Sequence, residues 1–113
     1  MVEVNGLRFS TSIGVMFALR EREGHTTLQE TYASLAKTDM DSVVTITRIC
    51  CEKGEDKKFE SDEAFFETLA EHGVGLVKLS QTYSRLIEAL MCSGMSPEEI
   101  ASAKKQAGKA QEG

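Results

Sequence analysis

Five side chains, Cys50, Cys51, Cys92, His25 and His72, are of the types from which a thiolate–imidazole metal site or a cysteine nucleophile is made. Structural zinc sites draw two ligands from one turn of chain, at spacings such as C-x2-C or H-x3-H. Neither spacing occurs here. Adjacent cysteines on a helix point ~100° apart, so Cys50 and Cys51 aim at different neighbours. A nucleophilic thiol needs a base beside it and an electropositive setting. Cys50 is expected instead in the most apolar helix, where a thiol is inert. The cysteines read as small hydrophobes of a reducing compartment.

Other chemical signatures fail on their own terms. Gly73-Val74-Gly75-Leu76-Val77-Lys78 begins like a dinucleotide fingerprint, but Lys78 stands where the third glycine belongs and no strand precedes it. The carboxylates Glu21, Glu23, Glu52, Glu55, Glu60, Glu63, Glu67 and Glu71 fall in loops or on polar helix faces. General acid–base work needs two of them in one cleft. A helix-turn-helix around Gly73 is the strongest alternative. Its second helix would have Lys78 as the only cation in its first two turns. The sequence thus points to no catalytic residue, no cofactor and no metal.

The elements that hold these side chains are helical after a short start. Val2 and Val4 alternate with Glu3, and Leu7 and Phe9 alternate with Arg8. Asn5-Gly6 between the two runs predicts a type I′ hairpin over residues 1–10. Next comes a helix from Ser12, with Ile13, Met16, Phe17 and Arg20 on one face and Val15 and Leu19 on the other, stopped by Gly24. Thr27-Leu28-Gln29-Glu30 is a capping box that opens a second helix with the stripe Leu28, Tyr32, Leu35. Asp39 is expected to cap a third through Lys53, followed by a charged loop from Gly54 to Lys58. Apolar positions cover most of its circumference, which makes it the central core helix.

Ser61 or Asp62 opens a short helix with Phe65, Phe66 and Leu69 inward, ending near Gly73. Residues 74–92 carry Leu76, Leu79, Tyr83, Leu86, Ile87 and Leu90 at helical spacing, with Gly94 as the stop. Ser96-Pro97-Glu98-Glu99 is a second capping box. The expected fold is mainly α (α+β): an N-terminal β-hairpin packed on a compact bundle of four to five helices. Residues 1–95 form one domain, and 96–113 a short C-terminal helix and polar tail.

At 113 residues, 41% hydrophobic and 27% charged, the chain has room for one core. Thirteen basic against 18 acidic residues give a net charge of −5, with the cations scattered, which disfavours nucleic acid. The longest apolar run, Ile13 to Leu19, falls far below the ~20 residues that span a bilayer. The opening Met-Val-Glu-Val-Asn-Gly has no basic n-region, and the chain is expected to stay in the cytoplasm.

The order of elements over residues 1–53 resembles the tail assembly chaperones of long-tailed bacteriophages and prophages. The likeness rests on V-x-V-N-G-x-x-F, on the helix closing with Leu19-Arg20-Glu21-Arg22-Glu23-Gly24, on the T-L-x-E helix, and on Leu35-Ala36-Lys37-Thr38-Asp39-Met40-Asp41 leading into the apolar helix. The resemblance implies a small non-catalytic chaperone of the host bacterial cytoplasm. It would bind the tape measure protein, help tail tube subunits assemble, and leave the finished tail. It also implies a short form paired with a longer, frameshifted one, to which Lys104-Lys105 and Gly108-Lys109 would lead.

A holdase needs exposed apolar surface. Val15, Leu19, Ile46, Ile49, Val77 and Met91 lie off the main stripes and are the candidate partner-binding residues. Packing against one another, or self-association across a twofold axis, is the other use of such faces. The alternative function is a small helical DNA-binding or regulatory protein.

Overall fold

Asn5 and Gly6 both hold positive φ, 51° and 85°, the backbone that a two-residue hairpin turn demands. They join β1 (Val2–Val4) to β2 (Leu7–Phe9) in a computed structural model that describes residues 1–102. The strands are antiparallel, with Val2 opposite Phe9, Glu3 opposite Arg8 and Val4 opposite Leu7. Side chains alternate across the pleat, so Val4, Leu7 and Phe9 are buried while Glu3 and Arg8 face outward.

Five helices follow: α1 (Ile13–Glu23), α2 (Leu28–Ser34), α3 (Met40–Glu55), α4 (Asp62–Glu71) and α5 (Leu76–Met91). A sixth helical segment begins at 97 and is described as far as 102. The molecule is therefore mostly helical with an N-terminal hairpin, as the sequence pattern predicts. The polar tail beyond 102 lies outside the described residues.

Capping chemistry places the helix starts. Thr27 Oγ1 accepts the Glu30 amide at 3.2 Å, while the Glu30 carboxylate accepts from Thr26, one residue earlier than in the usual reciprocal box. Asp39 accepts from both the amide and the hydroxyl of Ser42, at 3.1 and 2.8 Å. These two bonds hold its carboxyl below the usual range. Ser61 accepts from the Ala64 amide at 3.1 Å and settles where α4 begins. At the other ends, Gly24 and Gly73 adopt φ of 68° and 73°.

α3 is central, packing on the hairpin, α1, α4 and α5. Val43, Ile46, Thr47, Ile49, Cys50 and Cys51 are all buried along it. The buried Thr47 hydroxyl donates to the Val43 carbonyl at 2.7 Å, so no polar atom is stranded there. Its C-terminus departs from expectation. Gly54 and Glu55 continue the helix, and the turn comes at Asp56 with φ 52°. The reason is tertiary, because Gly54 is buried against β2 and a Cβ there would meet the Arg8 carbonyl oxygen at 2.2 Å.

The hairpin is tied at both ends. Ser10 donates its amide to the Cys50 carbonyl at 2.8 Å, and Arg8 donates its own to Glu55 at 2.8 Å. At the turn, Asn5 Nδ2 donates to the His72 carbonyl at 2.8 Å, His72 Nδ1 meets the Asn5 carbonyl at 3.0 Å, and Lys78 Nζ donates to Asn5 Oδ1 at 2.7 Å. On the far side, Arg48 bridges Asp62, Glu52 and the Phe59 carbonyl, which holds the 56–61 loop over the Phe59–Phe65 pair.

Candidate functional site

Four of the six residues read as partner-binding are core. Val15 is 0% exposed, Leu19 and Ile46 2%, and Ile49 4%. α1 buries Val15, Met16 and Leu19 toward α2 and α3, and leaves Ile13 and Phe17 outside at 38% and 41% exposed. Val15 and Leu19, expected off the main stripe, are thus buried, and of the face expected to hold Ile13, Met16 and Phe17 only Met16 is. No carboxylate decides between the faces, because Glu21 follows Phe17 and Glu23 follows Leu19 at the same spacing of four. Of the six, only Val77 and Met91 stand on the surface, both on α5.

The outer face of α1 is held in place from behind. Gly94 sits where a Cβ would lie 3.3 Å from both Ile13 Cδ1 and the Tyr32 hydroxyl, and Tyr32 shares a hydrogen bond with Ser93 at 2.9 Å. The end of α5 is thereby pinned to α1 and α2. Arg20 caps the exposed Phe17 ring, its guanidinium carbon 5.3 Å from the centroid.

Beside this face a groove of about 590 Å³ runs between α1 and the C-terminal half of α3. Ala18 and Ile49 form its floor, so Ile49 does border a surface depression although its side chain is buried. The rim carries both signs: Arg22, Lys53, Lys57 and Lys58 against Glu21, Glu52 and Asp56. Leu19 and Ile46 border a smaller cavity of about 220 Å³, with Glu23, His25, Lys37, Asp39 and Asp41 around it.

The groups with chemical potential lie apart and are engaged. His25 Nδ1 pairs with the Thr31 hydroxyl at 2.9 Å, and His72 is bound to the hairpin turn. Cys50 and Cys51 are fully buried, and burial pushes both thiols up to about 12, far from the thiolate a nucleophile needs. Among the described residues no three His, Cys, Asp or Glu side chains are placed to hold a metal ion. No helix among them is long and apolar enough to cross a membrane. At the start of α5, where a recognition helix would reach for phosphate, Lys78 is engaged by Asn5, and Leu76 and Val77 face solvent.

Compared with known proteins, the chain matches no family model, no curated protein and no solved structure.

Proposed function

We propose that this chain is a non-catalytic phage tail assembly chaperone, which holds the tape measure protein in the host cytoplasm and passes it to tail tube subunits. The observation that carries the reading is the α1–α3 groove with the exposed face of α1 beside it. An amphipathic helix laid there would set its apolar stripe on Ala18 and Phe17, and its polar flanks against a rim of both signs. Such recognition needs no nucleotide and reverses when a better-packed partner competes. The client's identity comes from the resemblance over residues 1–53; the groove supplies the physical means.

Co-expression with a phage tape measure protein tests the proposal. The client should become soluble and co-purify, and Phe17→Glu should abolish both effects while the chaperone stays folded. A client equally insoluble with and without the chain would overturn it.

A further inference from the structure

Asn5 is the only asparagine in the chain, and a glycine follows it. That pair carries a reaction of its own. The Gly6 nitrogen attacks Asn5 Cγ, the Cγ–Nδ2 bond breaks, and ammonia leaves with the proton that Gly6 gave up. Water then opens the five-membered succinimide at one carbonyl or the other, leaving aspartate or isoaspartate. In sum an amide and water become a carboxylic acid and ammonia, with no other reactant. Both residues are exposed, so water is at hand, and glycine has no side chain to shield its nitrogen.

The fold holds the reacting atoms apart. Ring closure needs Asn5 Cβ and the Gly6 nitrogen eclipsed about the Cα–C bond. Asn5 and Gly6 have φ of 51° and 85°. A type I′ turn with such angles sets ψ of its first central residue near 30°, which leaves the two atoms about 150° apart. The carboxamide is also fastened at both ends, Nδ2 donating to the His72 carbonyl at 2.8 Å and Oδ1 accepting from Lys78 Nζ at 2.7 Å. His72 Nδ1 meets the Asn5 carbonyl at 3.0 Å, which fixes the very peptide unit whose nitrogen would attack. The product fits this grip poorly. Aspartate presents an oxygen where Nδ2 faced the His72 carbonyl, acceptor to acceptor, and isoaspartate adds a carbon to the main chain of a two-residue turn. We propose that Asn5 is a spontaneous deamidation site held unreacted by His72 and Lys78, so that reaction follows opening of the hairpin turn and then weakens its closure. The inference does not depend on the α1–α3 groove or on any client.

The purified chain alone tests it. Deamidation at Asn5 is followed at pH 8 by peptide mass spectrometry that separates aspartate from isoaspartate. The native chain should react at least about tenfold more slowly than a synthetic peptide of residues 1–12, because only its locally open fraction reacts. Lys78→Met should speed the native reaction at least about twofold, the loss of one hydrogen bond, and should match the parent once both are unfolded in urea. Asn5→Asp, which stands for the product, should raise the hydrogen-exchange rates of the β1 amides. A native chain as reactive as the peptide, a Lys78→Met chain no faster than the parent, or β1 amides as protected in Asn5→Asp as in the parent would each overturn the proposal.

Discussion

Gly54 lies in van der Waals contact with the backbone of Arg8, with no room for a methyl group between the end of α3 and strand β2. Ordinarily alanine in place of a helical glycine stabilises by about 1 kcal/mol. Here the added carbon would sit inside the Arg8 carbonyl, and backbone cannot rotate away as a side chain can. Gly54→Ala should therefore destabilise by about 1–3 kcal/mol through overpacking, measured by chemical denaturation. A stabilised variant would mean that the hairpin does not rest on α3 at this point.

The core assignment on α1 has a direct counterpart in stability. Leu19→Ala should cost about 2–5 kcal/mol, because Leu19 is 2% exposed and its removal leaves a cavity. Val77→Ser, measured in dilute solution, should change stability by no more than about 0.5 kcal/mol. Equal effects at the two positions would contradict the orientation of the helices.

Acid should loosen the join between hairpin and α3. The Arg8 backbone amide, followed by the Arg8 side chain, holds the Glu55 carboxyl below its ordinary 4.5. A depressed native value means that the contribution is whole above pH 4.5 and is lost as pH falls through the lower, folded value. Glu55→Gln should accordingly flatten the acid limb of a stability–pH curve and change little of its shape above pH 6. An acid limb unchanged in the variant would rule this group out as a source.

Thiol labelling should separate the cysteines. Cys92 is partly exposed, whereas Cys50 and Cys51 are buried with thiols raised to about 12. A thiol reagent at pH 8 should modify one cysteine per native chain and all three after unfolding, read by mass spectrometry. Rapid modification of Cys51 in the native protein would show that the α3–hairpin contact opens easily.

Legibility in the sequence followed the range of the rule involved. Asn5-Gly6, Thr27, Asp39, Ser61, Gly24 and Gly73 act on their immediate neighbours, and the hairpin, helix starts and helix stops are where those residues place them. The central position of α3 was also readable, because apolar residues around most of a helix leave it no solvent side. The facing of α1 was not. Its two apolar sides are nearly equal in greasiness, and the choice between them is made by α2 and α3. Gly54 misled for a related reason: in a charged stretch it has the look of a helix stop, yet it serves a strand that lies 46 residues earlier. The groove joins residues from two helices whose angle no local pattern encodes.

The Asn5–His72–Lys78 clamp sets a timetable for synthesis. The first strands of this chain emerge early from the ribosome, but the partners that grip their turn are made 67 and 73 residues later. A lone two-stranded ribbon has little persistence in water. A product ending before residue 72 would still lay its strands on α3 through Ser10 and Arg8, but the Asn5 turn would have no grip, and the ribbon would be fastened on one side alone.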